Sequence, residues 1–361
     1  MAVTLEINNQ IYSRWTEVRV TRSLKRACAA FEIATPGEID PPILPFASCT
    51  LAADGEPVIA GYVDVVRIEV SARETRTRVV GRSKTADLID CMLVPFQTNQ
   101  FSGSALDAIA RAVAAPFGVV VVVGPGVVVG DPFADATFEW SEPAFRFLNR
   151  LAKQRGVLLT DDENGNLVLA TLGTANAPAA LATGPGGNVF QAHGELAGQQ
   201  RYSQYVIRSQ QGLVHTKNGQ VATQIEGQAA DGGVPRYRPW GGIAESALGT
   251  EEAQTRAGWE QAHRLGGSIR ATLSVPEWRA GAGANGGQLW RINQLVECTV
   301  PRLGLADTLL IGAVDFHEDG EGGRRTELTC APPSAFTPKP QPGKAAGTTW
   351  AGIHHQHGGH R

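Results

Sequence analysis

The chain has 361 residues, with 32 basic and 35 acidic side chains and a formal charge of -3. That length exceeds one ordinary hydrophobic core and predicts about two to four domains, and the near-neutral balance excludes broad electrostatic attraction to nucleic acid or anionic lipid. The five cysteines are odd in number and form no C-x-x-C pair, so they read as buried free thiols.

The N-terminus, "MAVTLEINNQ", shows no basic patch followed by an apolar run, so synthesis in a reducing host cytoplasm is expected. A β-meander is predicted over the first ninety residues. "VTLEI" and "QIYSRW" flank Asn8-Asn9, and Val18 and Val20 alternate with Arg19 and Thr21. A turn at Asp54-Gly55 and a polar turn at Arg73 to Arg76 continue it. A small barrel would hide the edges of so many strands.

The rhythm then changes. In "SALDAIARAVAAP" a helix is predicted with Ser104 as N-cap, Asp107 in the capping-box position and Pro116 as the stop. "FGVVVVVGPGVVVG", Phe117 to Gly130, is too short to cross a bilayer and reads as two short buried strands around a turn. A second helix starts at Ser141, with Pro143 in its first turn and Arg155-Gly156 at its end. A hairpin around Asn164-Gly165 completes a small α/β block. Gly173 to Asn188 reads as a linker. Strands then resume, interrupted by one helix from Thr250 to Leu265, and beyond Phe336 the chain becomes a Pro, Gly and His tail.

Sites of chemistry are sparse. "VVGRSKTADLIDC", Val79 to Cys91, has the strand, Lys-Thr and helix of a phosphate loop, but Arg78 and Ser83 stand where that loop needs glycines, which excludes it. His354, His355, His357 and His360 can take up a transition metal, yet a tail without preorganisation predicts adventitious affinity rather than a metal site. "DFHEDGE" (315–321) and "TDDENG" (160–165) read as solvated hairpin turns. No Gly-x-Ser-x-Gly elbow or His-Glu-x-x-His motif occurs, so neither a catalytic site nor a cofactor is expected. The seven Trp are dispersed, which favours packing over base stacking, except that Trp350 in the tail reads as an anchor for a partner.

An ordered series remains: "GEPVIAGYVDVV", "VVGRSKTADLIDC", "FRFLNRLAKQRGVLLTDDENGNLVLA", "LWRINQLVECTVPRLG" and "TELTCAPPSAF". It resembles the baseplate hub proteins of Mu-like contractile phages, relatives of the T4-type tail hub and of the base of type VI secretion spikes. The resemblance runs from about residue 3 to 336, and the tail after Phe336 has no counterpart in it. It marks Gly61, Tyr62, Val63 and Asp64, then Gly81, Arg82, Lys84, Thr85, Asp87, Leu88, Asp90 and Cys91, as a structural or interface junction. From the residues themselves, Leu88 and Ile89 are expected inside, with Arg82 and Lys84 on a polar face.

The expected architecture is α+β and β-rich: a first β-barrel domain (1–93), a small α/β domain (94–172), a linker (173–188), a second β-barrel domain (189–336) and a flexible tail (337–361). The resemblance implies a homotrimeric virion protein in the tail baseplate. Such a hub joins a sixfold tail tube to a trimeric spike and leaves a passage for DNA without binding it specifically. It touches other baseplate proteins and inserts in no membrane. Three alternatives stay open: the hub of a bacteriocin or secretion machine, a wall-degrading enzyme at the tail tip, and a small-molecule or sugar-binding module.

Overall fold

A computed structural model describes residues 2–94, 99–173, 175–210, 214–216, 219–221, 224–244, 248–281 and 287–340. His354, His355, His357, His360 and Trp350 lie outside the described residues. Two compact units emerge among the described residues, one built from residues 2–200 and 263–338, the other from 201–262. Among the described residues no helix is long and apolar enough to cross a membrane.

In the first unit seven strands come in quick succession: β1 (Val3–Ile7), β2 (Gln10–Tyr12), β3 (Glu17–Ser23), β4 (Arg26–Pro36), β5 (Ser48–Ala53), β6 (Glu56–Val70) and β7 (Thr75–Ser83). Their alternation buries one face, as in β4, where Ala27, Ala29, Phe31 and Ile33 point inward. Tight turns set the register. Asn8 and Asn9 have φ of 50° and 63°, and Asp54 and Gly55 have 52° and 79°, the left-handed pairs that match the twist of a two-residue hairpin.

The α/β block follows. Helices α1 (Ala86–Asp90), α2 (Leu106–Ala114) and α3 (Ala144–Gln154) accompany a sheet of β8 (Val121–Val123), β9 (Leu158–Asp161) and β10 (Leu167–Ala170), in the order β8, β10, β9. Ile109, Val113, Phe147, Leu148 and Leu151 form the helical side of its core. Three expectations are corrected in this block. The cap of α2 is Ala105, not Ser104, and makes no side-chain capping bond, while Asp107 pairs forward with Arg111 at 2.5 Å. Pro116 lies inside a short 3-10 turn that ends at Gly118, where φ is 66°. Of the two buried valine strands only Val121–Val123 forms, an edge strand paired among the described residues with β10 alone, and Val120 and Val128 are exposed.

The C-terminal strands of this unit do not stand apart from the first seven. A single 14-stranded sheet runs through Gln191–Leu196, Ile269–Pro276, Gly323–Ala331 and Leu305–Asp319, then through β3, β4, β7, β6, β5, β1 and β2. The join is the antiparallel pairing of β3 with Leu305–Asp319, with Thr21 opposite Asp315 and Val20 opposite Phe316. The chain is thus β-rich as expected, but no ladder closes on itself among the described residues, because β3 takes its second partner from the far end of the sequence. One apolar core serves both ends: Leu5, Ile33, Leu51 and Val79 belong to the same cluster as Leu273, Trp278, Ile311 and Leu328. The 173–188 stretch is tied to this sheet. Ala175–Asn176 and Leu181–Ala182 pair in parallel with Gln294–Val300, and Leu181 is fully buried. "DFHEDGE" is a solvated turn only beyond Asp319: Asp315–Asp319 is paired strand with Phe316 buried, and the turn into the next strand follows it.

In the second unit Gln204–Gln210 lies between Gln224–Ala230 and Pro239–Ile243, and Ile207 and Ile225 pack with Ala253 and Ala257 of α4 (Thr250–Gly267). Gly227 is required here, since a Cβ on it would come within 2.1 Å of the Ala253 backbone. Asp231 is gripped by Arg201 through Nε and Nη2, each at 2.8 Å, and accepts the Gly233 N–H at 2.9 Å. The Arg201 bonds hold the Asp231 carboxyl below the usual carboxylate range, against the opposing effect of burial. A depressed folded pKa means that the unfolded chain binds the extra proton first as pH falls. The stabilisation is therefore complete above the ordinary carboxylate value of about 4 and is lost as pH drops through the folded value. Urea midpoints measured from pH ~5 down to ~2.5 are expected to fall more steeply for the wild type than for Asp231→Asn. Parallel curves would refute the assignment.

Candidate functional site

The residues singled out in the sequence converge where β6 and β7 pair and the chain enters α1. Gly61 stands opposite Ser83, Tyr62 opposite Arg82, and Val63 opposite Gly81. The two glycines permit an approach that a side chain would block. A Cβ on Gly61 would lie 1.8 Å from the Arg82 carbonyl oxygen, and one on Gly81 would lie 2.5 Å from both the Phe31 ring and the Tyr62 carbonyl oxygen.

Immediately after Val63 the register slips, so that Val65 faces Val80 and Asp64 stands out of the alternation. Asp64 then meets Arg82: Nε to Oδ2 is 2.5 Å, and Nη2 of the same guanidinium reaches Asp90 Oδ2 at 2.6 Å. One arginine therefore bridges strand β6 and the end of α1. Both carboxylates raise the Arg82 pKa, Asp90 more than Asp64. All three side chains are about a third to a half exposed, so the clamp orients the junction more than it stabilises it.

Beneath the clamp the polar groups are buried. Ser83 and Thr85 are fully inaccessible, and their hydroxyls are 2.8 Å apart. The Ala29 N–H donates to Ser83 Oγ at 3.2 Å and to Asp161 Oδ2 at 3.0 Å. Lys84 donates its backbone N–H to the Ala60 carbonyl at 3.2 Å, and its stem packs beside Gly165 in the β9–β10 turn, where φ is 74°. The Lys-Thr pair thus seals a strand-to-helix corner, with the Thr85 hydroxyl turned inward and bonded. Leu88 is fully buried, as expected, whereas Ile89 is only half-buried. Burial, then the neighbouring Asp90, raises the Asp87 pKa. Cys91 is exposed, and partial burial followed by Asp87 and Asp90 raises its thiol pKa, while burial pushes the Cys49 thiol up to about 12.

One part of this junction escaped the sequence reading. "TDDENG" was expected to be wholly solvated, and Asp162 does cap the turn, accepting the Asn164 and Asn166 N–H groups at 2.9 Å each. Thr160 and Asp161 instead lie inside, at the end of β9. Asp161 Oδ1 is 3.3 Å from Arg22 Nη1, and Arg22 also donates to the Asp161 and Val58 carbonyls at 2.9 and 2.8 Å. This buried pair joins β3, β6 and β9. Its partners are far apart in sequence, so local composition carried no signal of it. The four groups of Asp64, Arg82, Asp161 and Arg22 bind elements together, and among the described residues no cluster of His, Cys, Asp and Glu is placed to hold a metal ion.

Comparison with known proteins follows the same segments. The N-terminal model of Mu phage baseplate assembly protein GpP-like proteins matches residues 2–83, the second-domain model of baseplate hub protein gp44-like proteins matches 85–171, and the fourth-domain model of Mu phage baseplate assembly protein GpP matches 249–339. The chain is 32% identical to the baseplate hub protein gp44 of Escherichia phage Mu over 352 residues, covering 92% of this chain and 88% of that protein. It is also similar to the 43 kDa tail protein of prophage MuSo2 from Shewanella oneidensis, with 33% identity, a TM-score of 0.81, and coverage of 94% of this chain and 100% of that one. A tail protein from Neisseria meningitidis shares the fold at 18% identity, with a TM-score of 0.76 and coverage of 94% and 99%.

Proposed function

The chain belongs to the family of phage Mu baseplate hub proteins, and from that membership we propose that three copies form a closed ring joining the tail tube to the central spike. It is a component of a phage tail baseplate. The observation that carries the finer reading is the 32% identity to a baseplate hub over most of the chain, which spans both ends of the continuous sheet. In this reading each copy contributes two barrel-like lobes, one from each end of that sheet, and three copies present six similar lobes to a sixfold tube. The threefold axis then matches a trimeric spike, and the centre is left as a passage for DNA that is not bound specifically. Closed cyclic symmetry limits the assembly to its proper size.

The part is mechanical and not enzymatic. The junction supports this, because Arg82 is engaged by Asp64 and Asp90 and the Ser83 and Thr85 hydroxyls by each other. Exposed apolar side chains also support contacts with partners. Leu44 and Phe46, 65% and 90% exposed, lie beside β6, whose end carries exposed Ile68 and Val70. The divisions at about 93, 172, 188 and 336 are proposed as the limits of the functional segments, and the tail with Trp350 as a contact for another baseplate protein. Light scattering on the purified chain is expected to give a species of about three times 38.3 kDa that binds spike protein. A persistent monomer without affinity for spike or tube protein would overturn the reading.

A further inference from the structure

Two stretches of strand in the first unit leave a main-chain edge unpaired among the described residues. In β6 the last bonds on the side of β5 are made by Val63, whose carbonyl accepts the Phe46 N–H at 2.7 Å and whose N–H donates to the Ala47 carbonyl at 3.0 Å. Beyond Val63 the strand pairs with β7 alone. The strand Gln191–Leu196 ends the sheet and pairs only with Ile269–Pro276. An open edge of this kind is a template for a further strand.

Hydrogen-bond parity fixes which residues present the template. Ser71 donates its N–H to the Glu74 carbonyl at 2.8 Å, and the register is unbroken from Val65 to Val70. Arg67 and Glu69 therefore bond to β7, while Val66, Ile68 and Val70 aim their N–H and C=O groups outward. Ala197 donates to the Ser268 carbonyl at 2.8 Å, so His193 and Glu195 bond inward, and Ala192, Gly194 and Leu196 aim outward. These outward residues also share the core side of the sheet. Val66 and Ala192 pack against the core cluster, and a Cβ on Gly194 would lie 3.1 Å from a Leu303 methyl.

The two edges match when set antiparallel. Val66 opposite Leu196, Ile68 opposite Gly194 and Val70 opposite Ala192 are then hydrogen-bonded pairs with apolar side chains on one face. On the other face Arg67 meets Glu195 and Glu69 meets His193. Arg67 stands opposite Arg78 in its own ladder, so an incoming carboxylate offsets a like-charge pair. Glu195 is 3.6 Å from Arg270 with both side chains half-exposed, which leaves it open to a second cation. A one-residue slip opposes the core face of one strand to the outer face of the other. A two-residue slip sets Glu69 against Glu195 in one direction and Arg67 against His193 in the other.

We propose that the Val66–Val70 edge of one copy pairs antiparallel with the Ala192–Leu196 edge of the next copy, in the register that sets Ile68 opposite Gly194. This rests on the ring of three copies proposed above and names the strands that join it. Because the two edges differ, the contact runs head to tail, the kind that closes into a ring.

Co-expression of Glu69→Cys and His193→Cys chains tests the register. Light scattering is expected to show the trimer, and oxidation with copper phenanthroline to give a covalent dimer. Neither variant alone should give it, nor should wild type, which controls for the exposed Cys91, nor Glu69→Cys with Gln191→Cys, two residues out of step. Ile68→Pro removes an outward N–H and no bond to β7. It is expected to unfold near the midpoint of Ile68→Ala but to need at least about tenfold more protein to assemble, the margin of one hydrogen bond. A trimer without the dimer, or equal assembly of the two Ile68 variants, would overturn the pairing and leave the ring standing. A persistent monomer would overturn both.

Discussion

Replacing Gly61 by Ala is expected to lower stability by roughly 3 kcal/mol or more, because the added methyl forces apart two backbones that share a ladder. The new Cβ would fall 1.8 Å from the Arg82 carbonyl oxygen and 2.7 Å from Ser83 Cα, and both neighbours are main-chain atoms that cannot rotate aside. Relief requires β6 and β7 to separate where Arg82 reaches Asp64 and Asp90. The damage should therefore extend to the corner that passes the chain into the α/β block. Gly198→Ala is the control, since nothing lies within 4 Å of its Cβ position, and a change within about 0.5 kcal/mol is expected there. Denaturant midpoints of the two variants decide the matter. Equal midpoints would show that the junction yields without cost.

Asp161→Ala is expected to cost about 3–5 kcal/mol, the range for breaking a buried ion pair by removing one partner. The Asp161 side chain is 0% exposed and that of Arg22 only 12%, so the substitution leaves a guanidinium poorly solvated and uncompensated. It also removes the carboxylate that the Ala29 N–H reaches at 3.0 Å. Arg22→Met combined with Asp161→Ala should recover part of the loss, because the stranded charge goes with its partner. A double-mutant cycle by urea denaturation measures the coupling. Simple additivity would mean that the two residues act independently. Asp162→Ala, one residue along, loses only turn bonds at the surface and should cost about 1 kcal/mol.

Much of the secondary structure was legible because its causes are local. The strands of the first ninety residues, the paired left-handed turns, the helix ending at Arg155-Gly156 and the hairpin turn after Asp319 follow from alternation and from residues suited to positive φ. Membership in the hub family was also legible, in motifs whose order along the chain survives divergence. The cap of α2 and the second valine strand were misread because each depends on what packs beside it. Ser104 resembles a cap, but its backbone is bonded to Phe101 and Phe133, and Val127–Val129 has no strand beside it among the described residues.

The junction divides in the same way. That Gly61, Asp64, Gly81 and Arg82 matter together was marked by a sequence pattern; that Asp64 reaches Arg82 depends on a one-residue slip after Val63, which alternation alone does not announce. By itself the sequence determined the β-rich composition and the positions of the turns, which rest on neighbours within a few residues, and the kinship with tail hubs, which rests on motifs in a fixed order along the chain. Tertiary structure alone decided that β3 pairs with Leu305–Asp319 to join both ends of the chain in one sheet, and that Asp161 is buried against Arg22. Those contacts pair residues separated by more than a hundred positions, and their free energy appears only when the chain has brought burial and partner together.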